Sequence, residues 1–200
     1  AFIDAGGYQD DRWWLGLHER LDAPASPELS EPNAPRERVG WYEAVAFSRW
    51  LSDRWGFTVS LPTEQQWERA ARGKQGLDYP WGNDFQSGFA NCDETTEENG
   101  IYFIGGTSAV GLYPQAASPE KVLDMAGNVC EWCLNEYGTP TNYQLSGNEA
   151  RVVRGGSWIN NPDYARASAR YYFHPVSRSS FGFRVLCSSH IKICSAAGIA

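Results

Sequence analysis

The sequence predicts a single, loop-rich α+β domain, and three observations carry that prediction. Two helical patterns, over residues 40–56 and 63–73, are followed by short apolar pieces separated by turn signals. Nine Trp, ten Tyr and nine Phe supply far more ring surface than a disordered polar chain carries. Twenty Gly and eleven Pro imply many turns joining short elements. At 200 residues, 42% hydrophobic and 20% charged, the chain can bury one substantial core, so residues 1–200 read as one domain rather than two.

Phe2 to Trp14 mix apolar and aromatic residues around the turn Gly6-Gly7, and the proline-rich segment Asp22 to Arg38 reads as a connecting surface loop. From Gly40 the pattern becomes helical. Ala44, Phe47, Leu51 and Trp55 recur on one face, Gly40 and Glu43 can serve as N-cap and N3 acid, and Gly56 ends the helix. The second helix has the clearer boundaries: Thr63 and Gln66 form a capping box after Pro62, Trp67, Ala70 and Ala71 face the core, and Gly73 closes it. Beyond Gly73, turn signals recur at Tyr79-Pro80-Trp81-Gly82-Asn83, Gly105-Gly106 and Gly127-Asn128. Short, irregular strands are expected near Val110 to Tyr113, Val129 to Leu134, Val152 to Arg154 and Phe183 to Cys187. The acidic run Asp93, Glu94, Glu97 and Glu98 reads as a solvated loop.

A net charge of −7 with no run of Lys or Arg argues against nucleic-acid binding. No apolar run approaches the length of a membrane span. Ala1-Phe2-Ile3 opens abruptly inside an apolar pattern, which suggests a start partway into a larger protein. The five cysteines, Cys92, Cys130, Cys133, Cys187 and Cys194, are an odd number at irregular spacing, and Cys130-Glu131-Trp132-Cys133 lacks the second pair that a structural zinc site needs. Reduced, mostly buried thiols are therefore expected. The role of the tail 188–200 stays open, with Ile191, Ile193 and Cys194 suggesting partial packing.

Several segments, taken together, resemble the formylglycine-generating, sulfatase-modifying family. They are Val39-Gly40-Trp41-Tyr42-Glu43-Ala44, the run Leu61 to Gly73, Tyr79-Pro80-Trp81-Gly82, Leu123 to Trp132, Arg154-Gly155-Gly156-Ser157-Trp158 and Gly182-Phe183-Arg184-Val185. The resemblance implies a C-type lectin-like fold, with two helices packed on short antiparallel strands. Its oxidase members work through a copper-binding cysteine pair shortly after the Gly-Gly-Ser-aromatic motif, where thiolates select Cu(I). Here Asn160 and Ala165 stand near those positions, and neither an amide nor a methyl replaces a thiolate. The sulfoxide-forming iron enzymes of the wider superfamily hold their metal with histidines of an added helical domain. This chain has only His18, His174 and His190, which are scattered. An oxidase of either type is thus the disfavoured alternative. The family motif also places a calcium site at Asp124 and Glu131 with the carbonyls of Gly127 and Val129, the hard oxygen donors that Ca²⁺ takes. The competing reading has Glu131 capping or pairing inside the core.

The chain further resembles the variable ligand-binding proteins of diversity-generating retroelements, whose C-terminal region is rewritten at template adenines. In that group asparagine codons become sites that can encode many residues but never Lys, Glu, Gln, Met or Trp. Within residues 158–183 the restriction is met at Ile159, Asp163, Tyr164, Ala169, Tyr171, Tyr172, Phe173, His174, Val176, Ser177, Ser179, Ser180 and Phe181. These are the expected ligand contacts, and exposure is expected for the aromatics among them. Rigid rings supply contact area at low entropy cost, while Ser, Asp and His adjust polar pairing. Trp158, Asn160, Asn161, Pro162, Arg166, Arg170, Pro175, Arg178, Gly182 and Phe183 are expected to hold the backbone, because a surface that tolerates substitution cannot depend on its variable side chains for folding. The implied function is non-enzymatic display of a diversified surface to a protein or other macromolecular ligand, with no required cofactor.

Overall fold

The computed structural model describes residues 1–28, 31–95 and 102–188; Glu97, Glu98, His190 and the tail residues Ile191, Ile193 and Cys194 lie outside the described residues. The elements are α1 (Trp41–Trp55), β1 (Thr58–Ser60), α2 (Glu64–Arg72), β2 (Cys130–Glu136), β3 (Arg151–Arg154), β4 (Arg170–Phe173), β5 (Phe181–Gly182) and β6 (Leu186–Ser188). Single turns of 3-10 helix stand at Asp11–Trp13, Pro114–Ala116 and Pro162–Ala165. β1 and β6 form an antiparallel pair, and the second sheet has the order β4-β3-β2-β5. No described helix is long and apolar enough to cross a membrane.

Both helices start where the sequence places their caps. Gly40 N–H donates to the Glu43 carboxylate at 2.6 Å, Gln66 N–H to Thr63 Oγ1 at 3.2 Å, and Thr63 N–H to Gln66 Oε1 at 2.8 Å. Gly56 closes α1 at φ +72°, a left-handed conformation that costs glycine little. α1 is buried on most of its circumference against β2 and the N-terminal segment. Trp55 departs from the expected helical face: it is half exposed, beside Phe57 at 5.7 Å between ring centroids, because the helix end projects past the core. Indole N–H groups tie the layers together, from Trp41 to the Cys133 carbonyl at 2.9 Å and from Trp132 to that of Val39 at 2.7 Å.

Two expected strands and the expected direction of pairing need correction. Val110 to Tyr113 is not a strand, since Gly111 sits at φ +77° and Pro114 follows at once. The last strand is β6, Leu186–Ser188, and Phe183 belongs to the link before it. The sheet is mixed rather than wholly antiparallel: β5 pairs with β2 in parallel, Cys130 opposite Phe181 and Glu131 opposite Gly182. The segment 174–180 causes this by crossing over β3 and β2 instead of turning back beside β4.

Along β2, side chains alternate between faces. Cys130 and Trp132 join the core beneath α1, whereas Cys133 points to the second core with Trp67, Ala71, Met125 and Val152. Cys130 and Cys133 therefore cannot meet. Both thiols are buried, and burial pushes that of Cys130 up to about 12 and that of Cys133 well above its usual value. Cys92 is also buried, but Cys187 on β6 is exposed, contrary to the expectation for most thiols.

Candidate functional site

β3 ends at Arg154, and the chain turns through Gly155 and Gly156 at φ +89° and +68°. A Cβ on Gly156 would approach the Tyr164 carbonyl to 2.9 Å, so the position needs glycine for space as well as for backbone conformation. The next turn closes on an amide. Asn160 Oδ1 accepts from Ser157 N–H at 2.9 Å and Ser157 Oγ at 2.8 Å, and it lies 3.7 Å from Cys130 Sγ. Ser180 Oγ donates to Ser157 Oγ at 3.0 Å, which draws the far end of the segment onto its beginning. Asn161 then caps the turn Pro162–Ala165 by accepting from Asp163 N–H at 3.1 Å.

Three arginines pin the rest of the segment to the scaffold. Arg166 binds Asp78 at 3.2 Å and Asp163 at 3.1 Å, at the surface. Arg170 at the start of β4 takes both oxygens of Glu64 on α2, at 2.7 and 2.8 Å. Glu64 also takes Arg154 at 2.6 Å, and the two guanidiniums outweigh burial and hold its carboxyl below the usual carboxylate range. Arg178 takes both oxygens of Glu43 on α1, at 2.8 and 2.7 Å, and donates to the Ala23 carbonyl at 2.8 Å. Glu43 additionally accepts the Tyr8 hydroxyl, and Tyr8, desolvated and beside that carboxylate, keeps its proton. Between these pins, the Pro175 carbonyl accepts from Trp41 N–H at 2.7 Å.

Eight of the thirteen expected contact residues line one open cleft of about 500 Å³, whereas Asp163, Ala169, Tyr172, His174 and Val176 are not among its walls. Its walls include Ile159, Tyr164, Tyr171, Phe173, Ser177, Ser179, Ser180 and Phe181. Strand alternation explains the grouping. Tyr171 and Phe173 point from β4 into the cleft, where Tyr171 stacks on Tyr164 at 4.9 Å and Phe173 meets Phe181 at 4.5 Å. Tyr172 points the other way, onto Tyr137 at 4.5 Å, and stays 57% exposed. Ile159, Asp163, Tyr164, Phe173, His174 and Ser179 are also exposed; Ala169, Tyr171, Val176, Ser177 and Ser180 are half-buried. Phe181 corrects the expectation of exposure: it is 4% exposed, paired in β5 and set against Trp132, so its ring forms the cleft floor. Cys130, Asn160 and Arg178 line the same cleft. Sequence reading had not placed Cys130 here, because a thiol from β2 reaches the segment only through the parallel β2–β5 pairing.

At the positions where the related oxidases carry thiolates, the Asn160 amide is engaged in the Ser157 turn and Ala165 is buried at 1% exposure with Ala90, Cys92 and Ala126. Asp124, Gly127, Val129 and Glu131 do line one small cavity, of about 220 Å³. Their side chains do not fit a cation as arranged. Glu131 holds the Arg184 guanidinium through both oxygens at 2.6 and 2.8 Å and accepts Trp67 Nε1 at 2.6 Å, while Asp124 Oδ2 accepts Gly111 N–H at 2.7 Å. A divalent ion would have to displace a guanidinium. Among the described residues, no three His, Cys, Asp or Glu side chains converge as a metal site. Millimolar CaCl₂ is accordingly expected to move Tm by less than about 1 °C relative to EDTA. A site filled at a hundred times its Kd would add about 2.7 kcal/mol and several degrees, and such a rise would overturn the assignment. The acidic run also needs correction: Glu94 is fully buried, accepting from Ser87 Oγ and from Gly88 N–H at 3.0 Å.

The family model for the sulfatase-modifying factor enzyme 1-like domain matches residues 1–189. The chain belongs to that family. Its similarity to the inactive Cα-formylglycine-generating enzyme 2 of Bos taurus is 34% identity over 88% of this chain and 58% of that protein. To the hercynine oxygenase of Mycolicibacterium thermoresistibile it is 31% over 90% of this chain and 46% of that protein. The sulfatase-modifying-type chain thus spans about half the length of these relatives. Among solved structures, Treponema denticola variable protein 1 aligns at a TM-score of 0.66 and 23% identity, over 88% of this chain and 79% of that one. The last likeness concerns the fold, an α+β arrangement of the C-type lectin-like, formylglycine-generating type.

Proposed function

We propose that this sulfatase-modifying-type domain is a non-enzymatic ligand-binding module of the retroelement-diversified kind, presenting residues 159–181 to a protein ligand. One observation carries the reading: apart from Asp163, which pairs with Arg166, and Ser180, which bonds Ser157, the side chains that hold the segment by hydrogen bonds and ion pairs are not the expected contact residues. Asn160, Asn161, Arg166, Arg170 and Arg178 hold the backbone. Among the described residues, the side chains of Tyr164, Tyr171, Tyr172, His174, Ser177 and Ser179 enter no hydrogen bond or ion pair; Tyr164 stacks on Tyr171, Tyr172 meets Tyr137, and Tyr171 also packs against the core. Such a division lets side chains change while the surface keeps its shape. The variable-protein structure and the inactive formylglycine-generating relative are consistent with it. Catalysis of the oxidase type lacks its ligands, with an amide and a methyl at the thiolate positions.

Substituting Ile159→Asp, His174→Asn and Ser179→Ala together should move Tm by no more than about 6 °C, since exposed positions typically cost within 0.5 kcal/mol each. Display of a library randomised at the exposed positions, panned against one purified protein such as serum albumin, should enrich binders whose melting stays near the parent's. General unfolding of the library would sink the reading. So would copper-dependent oxygen consumption with a cysteine-containing peptide.

A further inference from the structure

The chemistry of the cleft narrows what it can hold, on the reading just given that this surface binds a ligand. Four rings face or floor it: Tyr164, Tyr171, Phe173 and Phe181. Ring faces carry partial negative charge, so an aromatic enclosure favours a cation over a neutral guest of the same shape. The remaining polar lining includes the hydroxyls of Ser177, Ser179 and Ser180, able to accept hydrogen bonds, whereas the Asn160 oxygen is already taken by Ser157. Among the described residues, the one charged group in the walls is Arg178, and it is neutralised by both oxygens of Glu43, so no free positive charge of theirs is left there to receive a carboxylate or phosphate.

The surroundings point the same way. Asp163 adjoins Tyr164; burial first, then Tyr164 and Cys130, and last the Asp163 carboxylate raise the hydroxyl pKa of Tyr171. Arg166 is shared between Asp163 and Asp78, so the cluster next to Tyr164 carries two acids and one base. The whole chain stands at −7.

We infer that the cleft receives a cationic side chain, an arginine of a protein partner, with its guanidinium against the Tyr171 and Phe173 rings and its charge toward the net-negative cluster of Asp163, Arg166 and Asp78. A planar guanidinium suits this arrangement because it stacks on rings while its edge N–H groups reach the serine oxygens. The cleft, at about 500 Å³, has ample room for one such side chain.

The test uses N-acetyl-argininamide and its neutral isostere N-acetyl-citrullinamide, titrated into the whole chain with aromatic NMR resonances as the readout. The arginine compound should shift Tyr164, Tyr171 and Phe173 with a Kd on the order of 1 mM, as expected for a ligand of that size. The citrulline compound should bind about tenfold more weakly. Asp163→Asn and added NaCl should each weaken the arginine compound alone, while Ile159→Ser, with the same charges, should spare the preference. Equal binding of the two compounds overturns the cationic assignment and leaves the ligand-surface reading standing. If neither moves a cleft resonance, the inference also fails, and the reading beneath it is then judged by the randomised library alone.

Discussion

Replacing Glu64 with alanine is expected to lower stability by about 3–5 kcal/mol, the range seen when one partner of a buried ion pair is removed, and to lower Tm by on the order of 10 °C. Glu64 is 8% exposed at its side chain and receives Arg154, itself 1% exposed, together with Arg170. Its loss leaves a buried guanidinium with only Glu68 at 2.7 Å and the Ala167 carbonyl at 2.6 Å, and it frees the start of β4. Calorimetry measures the loss, and a change under about 1 kcal/mol would show that Glu64 is not the hub that the hydrogen bonds describe. The pH dependence follows from the depressed folded pKa. Glu64 binds its proton more readily unfolded than folded, so its stabilisation is fully present above about 4.5 and lost as pH falls through the lower folded value. Glu64→Gln should flatten this part of the acid limb while keeping the side chain's shape.

Arg178→Ala is expected to cost a similar amount, about 3–5 kcal/mol, and to loosen the ligand surface in particular. The substitution leaves Glu43, 3% exposed, without the guanidinium that both its oxygens hold and unties residues 174–180 from α1. Amide hydrogen exchange should rise across that segment and at Trp41, whose N–H reaches the Pro175 carbonyl, before it rises in β2 and β3. Arg178→Lys should recover less than half of the loss, because an ammonium cannot bridge both Glu43 oxygens in a planar fork. Uniform exchange over the whole chain, or full rescue by lysine, would contradict a pin of this geometry. The contrast with the exposed Ile159, His174 and Ser179, where little loss is expected, is the working difference between frame and display.

Local signals were legible wherever the nearest few residues decide the outcome. The Thr63–Gln66 box, Gly56 and Gly73 mark helix ends because capping involves groups three or four residues apart. The asparagines and arginines interleaved with aromatics and serines in 159–181 were legible in composition, and Asn160, Asn161, Arg166, Arg170 and Arg178 do hold the segment through hydrogen bonds. Strands were less legible. β4 was missed because Arg170 to Phe173 alternates between a cleft and the Glu64–Tyr137 side, with neither face uniformly apolar. Val110 to Tyr113 was overread because its apolar residues surround a glycine in a left-handed conformation.

The sequence alone determines the two capped helices, the family frame and the absence of thiolates after the Gly-Gly-Ser-Trp motif. Tertiary structure alone decides which acid each arginine meets, as in Arg178 with Glu43 and Arg170 with Glu64, separated by 135 and 106 residues. It also decides that Glu131 belongs to Arg184, that Phe181 is floor rather than display, and that Cys130 lies beneath the cleft. The physical reason is range. Caps and turns are fixed by neighbouring backbone groups, whereas ion-pair partners and the sides of a cleft depend on the parallel β2–β5 pairing, which brings distant segments together only after the chain has folded.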